Sequence, residues 1–111
     1  MLTMVQELNS RMLEAVVKQE HKPVLVVVYA PWCPRCAMMS DTVEKFASEN
    51  EKRIRVCRID EKDALFLVKR YGVDRVPTFL AFCRGKMIGM ATGMVSKDVL
   101  RDMFRENDVE K

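Results

Sequence analysis

Cys33 and Cys36, two of the four cysteines in the chain, stand at the point where an apolar run, Val24 to Ala30, gives way to a helical pattern of Cys36, Met39, Val43 and Phe46. A thiol on the first turn of a helix meets backbone N–H groups that lack intrahelical partners, and it meets the positive end of the helix dipole. Both favour its thiolate. A second thiol one turn further on can attack a mixed disulfide formed by the first. Such a pair needs few intervening residues, because a disulfide requires Cα atoms within roughly 4.4–6.8 Å. The chemistry expected is thiol–disulfide exchange in which Cys33 attacks and Cys36 resolves.

The residues between them tune rather than react. Pro34 suits a first helical turn, where its missing N–H has no partner to lose and its fixed φ matches the helix. Arg35 adds a permanent positive charge beside the pair and further favours thiolate. A C-x-x-C pair can also be half of a zinc site, which usually takes four ligands. The remaining candidates, Cys57, Cys83 and His21, are scattered singly, with no second paired knuckle. Spacing and context therefore favour redox chemistry, with no metal ligands and no bound cofactor expected.

At 111 residues the chain is expected to be one domain, large enough for a core that needs no staples. Its 49% hydrophobic and 32% charged residues are ordinary for a soluble protein. A net charge of only +3, interspersed along the chain, suggests neither nucleic-acid nor membrane-surface binding. No apolar run approaches the roughly 18 residues needed to cross a bilayer. Met1 to Ser10 carries Glu7 and no basic segment followed by an apolar block, so no signal peptide is read there and a cytoplasmic location is expected. Cys57 and Cys83 fall in apolar, strand-like segments and read as structural, Cys83 being the more exposed. Most of the nine Met residues fall at helical spacing as core filler, while Met38 and Met39 could form an adaptable apolar surface beside the cysteines.

The elements that must position the pair follow from periodicity. Leu2 to Leu8 is a weak strand pattern. Asn9 or Ser10 caps a helix with Leu13, Val16 and Val17 inward, which Pro23 ends near His21, a surface residue. Val24 to Tyr29 is β-branched and unbroken, as in a central strand buried on both faces. Its carboxyl end is where open α/β sheets place their sites. The helix after Cys36 runs to about Asn50, and Arg53 to Ile59 forms a second strand parallel to the first. Asp60 to Tyr71 reads as one helix with Leu65 and Val68 inward, closed by Gly72 in a left-handed cap. Val76 to Phe82 is a strand opening on proline, and Arg84-Gly85-Lys86 turns it into Met87 to Ala91, antiparallel. Ser96 caps a last helix with Val99, Leu100, Met103 and Phe104 inward. The order is β-α-β-α-β-α-β-β-α, an α/β chain with a charged, frayed tail over 107–111.

In content and order, Ala30-Pro31-Trp32-Cys33-Pro34-Arg35-Cys36, Ile59-Asp60, Arg70-Tyr71-Gly72-Val73, Arg75-Val76-Pro77-Thr78, Phe82, Gly85-Lys86 and Gly93 resemble the thioredoxin family. The likeness spans nearly the whole chain, and the combined signatures are specific. It implies the thioredoxin fold, a central mixed β-sheet flanked by helices on both faces. It implies that Cys33 is the attacking cysteine and Cys36 its buried resolving partner. Trp32 would pack beside the pair, and Pro77 would be a cis-proline facing the disulfide. Val76 would offer backbone groups to an extended substrate chain, and Gly93 would keep the opposite wall of that groove low. The implied partners are protein disulfides as substrates and a thioredoxin-reductase-like flavoprotein as electron donor, the chain itself being a monomer.

Departures from the family pattern modify this expectation. Proline comes first between the cysteines, as in glutaredoxins. The family's buried Asp, six residues before the first cysteine, falls on Val27, and its Lys partner on Val56. Asp41 replaces a helix-kinking proline, so a straighter helix is expected. A stabilised Cys33 thiolate predicts a couple more oxidising than typical thioredoxin. Two other readings follow: a glutaredoxin-like or oxidising exchanger with a dedicated client, and a binding or adaptor module on the same fold. The first lacks the Gly-Gly pair that glutaredoxins use, and the second has no need of both cysteines.

Overall fold

The computed structural model describes residues 4–105. Val24–Tyr29 forms β2, the middle strand of a five-stranded mixed sheet. Successive side chains of a strand point to opposite faces. Val24, Val26 and Val28 therefore enter one apolar cluster, and Leu25 and Val27 enter another. An unbroken apolar run is the consequence of helices covering both faces.

The remaining elements are β1 (Gln6–Leu8), α1 (Ser10–Gln19), α2 (Pro34–Glu49), β3 (Arg55–Asp60), a short 3-10 turn (Glu61–Asp63), α3 (Leu65–Tyr71), β4 (Thr78–Cys83), β5 (Lys86–Thr92) and α4 (Lys97–Arg105). The sheet order is β1-β3-β2-β4-β5. β3 runs parallel to both β1 and β2, whereas β4 is antiparallel to β2 and to β5. The helical crossover between β2 and β3 and the tight hairpin between β4 and β5 impose those directions. α1 and α3 cover one face through Leu13, Val17 and Leu67. α2 and α4 cover the other through Met39, Val43, Phe46, Leu100 and Phe104, with Phe46 and Phe104 stacked at 6.5 Å between ring centres.

Four expectations are corrected. Asp60 to Tyr71 is not one helix: the Asp60 carboxylate accepts from the Lys62 N–H, which tightens the chain into the 3-10 turn before α3 begins. That offset rotates Leu65 out to 57% exposure and turns Ala64 and Leu67 inward, with Val68 partly buried. On α4, Leu100 and Phe104 are buried and Met103 packs against them, while Val99 at the edge of that face is 41% exposed. β4 starts at Thr78 rather than Val76, because Pro77 has no N–H for a ladder and pairing begins at Thr78 with Val28 and Thr92. The segment read as a frayed tail and the start of the N-terminal strand pattern lie outside the described residues; of the described part of that pattern, Gln6–Leu8 pairs as β1.

Candidate active site

Cys33 ends the loop that leaves β2 and caps α2. Its N–H donates to the Ala30 carbonyl at 3.2 Å, and its Sγ accepts from the Cys36 N–H at 3.2 Å. Pro34 is the first residue of the helix and Cys36 lies in its first turn. The local sequence thus places a sulfur where a helix has unpaired donors. α2 then continues unbroken through Asp41, which pairs with Lys45 at 3.2 Å.

Opposite Cys33 stands the segment before β4. The Val76–Pro77 peptide bond is cis, and the Val76 carbonyl accepts from the Cys33 thiol at 3.8 Å. Gly93, at φ 83°, donates its N–H to the Pro77 carbonyl at 2.9 Å. Cys33, Cys36, Val76, Pro77 and Gly93 are thereby brought to one end of the sheet.

Two details differ from the sequence expectation. Cys33 is the more buried of the pair, 6% exposed, and Cys36 is only partly buried. The Cys33 sulfur is drawn inward between the Cys36 N–H and the Val76 carbonyl, and both cysteines border a cleft. Trp32 is 70% exposed beside the cysteines rather than packed against them. Arg35 is exposed as well.

The cleft is about 180 Å³ and runs from the cysteines and Pro77 along α2. Val5, Val27, Met39 and Val43 give it an apolar floor, and Tyr29, Arg58, Ser40 and Glu44 give it polar walls. Val27 and Val56 are both buried in the cluster beneath α2, so the carboxylate and amine of the family pattern are replaced by packing. Burial, first of all, together with the neighbouring Cys33, pushes the Cys36 thiol up to about 11. At the mouth, the Tyr29 hydroxyl donates to Glu7 at 2.8 Å and Arg58 Nε donates to the same carboxylate at 2.7 Å. The Arg58 guanidinium lies 5.4 Å from the Tyr29 ring centre. Burial and Glu7 push the Tyr29 phenol up to about 12.

The polar walls were not found by sequence reasoning. Glu7 and Arg58 meet because β1 and β3 pair in register, which nothing local encodes. Cys36, Ser40 and Glu44 recur at four-residue spacing, a signal that was available. Neither Cys57 nor Cys83 lines the cleft; Cys57 is fully buried in β3, and that burial pushes its thiol up to about 11. Among the described residues, no three His, Cys, Asp or Glu side chains gather as a metal site would require.

A dithiol whose leading sulfur caps a helix, faced by a cis X-Pro segment at the carboxyl end of a mixed sheet, is the site of a thiol–disulfide exchange protein. The thioredoxin family model matches residues 4–106. The thioredoxin of Pyropia yezoensis is 36% identical over 95 residues, covering 82% of this chain and 89% of its own. That of Porphyra purpurea is 36% identical over 101 residues, covering 87% and 94%. Thioredoxin 1 of Nostoc sp. is 31% identical over 85 residues, covering 77% and 79%. The chain belongs to the thioredoxin family. It is a thiol–disulfide oxidoreductase, and the substrates of that chemistry are protein disulfides.

Proposed function

We propose that the chain reduces protein disulfides through a mixed disulfide on Cys33, which Cys36 then resolves. The observation that carries this reading is the asymmetry of the pair. Cys33 Sγ receives a helix N–H, which stabilises negative charge there, while burial holds Cys36 as a thiol at neutral pH. The Cys33 thiolate attacks a substrate sulfur, the substrate S–S bond breaks, and one substrate thiolate leaves. Cys36, once deprotonated, attacks Cys33 Sγ, releases the second substrate thiolate and forms the Cys33–Cys36 disulfide. The protein is oxidised by two electrons and the substrate reduced by two.

The substrate chain lies extended along Val76 and Pro77, with Gly93 as the opposite wall and Trp32 beside it. When Cys33 loses its proton to become the nucleophile, the Val76 carbonyl is released to accept from a substrate N–H. Pro34 and Arg35 set the stability of the reduced form. No bound cofactor or metal takes part; a reductase partner, which we take to be a flavoprotein of the thioredoxin-reductase type, returns the pair to dithiol, and the chain acts as a monomer. We place it in the cytoplasm, a reducing compartment in keeping with a core that encloses Cys57 without any disulfide to brace it.

Trapping tests the assignment. Reacted with a protein disulfide such as insulin, Cys36→Ser should accumulate a mixed disulfide that peptide mass mapping places on Cys33, and Cys33→Ser should accumulate none. Adducts on Cys36 in the single variants would overturn it.

A further inference from the structure

A second concave site lies at the other end of the sheet from the cysteines. The β4–β5 hairpin turns through Arg84 and Gly85, both at positive φ, beside the start of β2, where Val24 pairs with Phe82. β2 is about 17 Å long, and Cys33 lies beyond its opposite end. A Cβ at Gly85 would stand 3.9 Å from the Cα and carbonyl oxygen of Lys18, so the turn lies close to the end of α1. Between α1, α3 and that turn is a cleft of about 190 Å³ lined by Val17, Lys18, Phe66, Arg70, Tyr71 and Gly85.

Two rings and two cations dominate that lining. Lys18 Nζ lies 6.0 Å from the Phe66 ring centre, and the Arg70 guanidinium lies 5.8 Å from that of Tyr71. Tyr71 in turn sets its ring edge to face against Phe82 at 5.6 Å, which anchors this wall to the sheet. No carboxylate lines the cleft. The local sequence supplies none either: there is no Asp or Glu between Asp63 and Asp74, nor between Asp74 and Asp98. Lys69 and Arg70 on α3, and Arg84 and Lys86 on either side of Gly85, make no ion pair among the described residues, while Lys18 pairs with Glu14 four residues back on α1. Most cations elsewhere are answered, as Arg55 is by Glu20, Arg58 by Glu7 and Lys97 by Glu49. Like charges grouped on one surface repel one another, and a concave site with apolar walls concentrates their field. That surface is complementary to an anion.

Its shape selects the kind of anion. The charges come from three elements around an apolar floor of Val17, Phe66 and Tyr71, rather than converging on one point as a lone phosphate would require. Leu65, 57% exposed, stands four residues before Lys69 on the same side of α3 and extends the apolar surface past the cleft. We propose that the cleft between α1, α3 and the β4–β5 hairpin docks an acidic segment of a protein partner, with one apolar side chain seated between Phe66 and Tyr71 and carboxylates on the cations around it. Cys33, Pro77 and Gly93 stay free at the other end of the sheet. A partner docked here is held while disulfide exchange proceeds, which raises the effective concentration of any disulfide tethered to it.

Nuclear magnetic resonance of the isotope-labelled full chain tests this, with the peptide acetyl-Glu-Asp-Phe-Asp-Glu-amide as the probe at low ionic strength. Backbone amide signals should shift at Lys18, Phe66, Arg70 and Gly85 and stay in place at Cys33, Cys36 and Gly93, in the dithiol and disulfide forms alike. Arg70→Glu should weaken the affinity about 10-fold, because it turns an attraction into a repulsion, and Lys69→Glu should act in the same direction. Lys52→Glu, the same change of charge outside the cleft, should leave the affinity nearly unchanged. All three variants should reduce insulin at the wild-type rate, which shows that the fold and the cysteine site are intact. A peptide with alanine in place of its phenylalanine should bind more weakly. Scattered shifts or none, an equal weakening by Lys52→Glu, or an oligothymidylate of the same charge binding the same residues as tightly would overturn the proposal.

Discussion

Arg35 is one residue away from both cysteines, and its effect is electrostatic. It makes no contact with Cys33 Sγ; its exposed guanidinium acts through solvent, where such a charge is worth about 0.5–1 kcal/mol. A thiolate that loses that support makes the reduced form less stable and the couple more reducing. Arg35→Gly should therefore lower the reduction potential by about 10–20 mV, while Arg35→Lys should leave it nearly unchanged. Equilibration against a glutathione buffer with mass analysis of alkylated species would read the shift, and a potential that does not move would remove Arg35 from the tuning set. The wild-type couple should lie above the roughly −270 mV typical of thioredoxin, because the helix donor and Arg35 act in the same direction on Cys33.

Between elements, the packing of α4 on the sheet depends on two small residues that face each other in register, Ala81 on β4 and Gly89 on β5. They let the helix approach closely enough for Leu100 and Phe104 to be buried. A Cβ at Gly89 would stand 3.0 Å from the Cβ of Met103 and 3.2 Å from its Cγ. Part of Met103 can swing away, but its Cβ moves only with the helix. Gly89→Ala should destabilise the fold by about 1–3 kcal/mol in urea denaturation. Combined with Met103→Ala, the loss should be smaller than the sum of the two single changes, because the Cγ and Sδ contacts are then gone. Full additivity would mean that Gly89 acts through strand propensity alone. Because α2 and α4 share Phe46 and Phe104, the same contact braces the helix that carries the cysteines.

Taken as a whole, the molecule ties its sheet edge to its first helix by charge. Arg55 at the start of β3 holds Glu20, just past α1, at 2.6 Å, and it also binds Gln6 of β1. Arg55 holds the Glu20 carboxyl below its ordinary value of 4.5, against a smaller opposing effect of burial. A carboxyl lowered by folding contributes stability that is present above its unfolded value and is lost as pH falls through the folded one. Urea midpoints should therefore drop as pH is lowered from 6 to 3, and Glu20→Gln should flatten part of that slope. An unchanged slope would show that the pair is too well solvated to matter.

Much of this protein was legible in the order of its residues, because the relevant interactions are local. A β-branched run ending at Ala30, a cysteine able to cap a helix, a proline at the first helical position and a second cysteine one turn on specify a strand, a turn and a reactive helix terminus without reference to the rest of the chain. The family signatures add the residues that face them. Local pattern was insufficient where two segments had to meet. The spacing of Leu65 and Val99 fits a helix face, but the 3-10 turn before α3 rotates Leu65 toward solvent, and Val99 falls at the edge of the buried face of α4. The relative burial of Cys33 and Cys36 depends on where the Val76 carbonyl lies, more than forty residues further along the chain. The polar walls of the cleft depend on β1 pairing with β3 and on α2 lying over both. Sequence by itself therefore determined the reacting atoms and the elements that carry them, since both follow from neighbours along the backbone. Tertiary structure alone decided which sulfur is sheltered and which carboxylate shares its cleft, since those depend on strand register and helix rotation, properties of the packed whole.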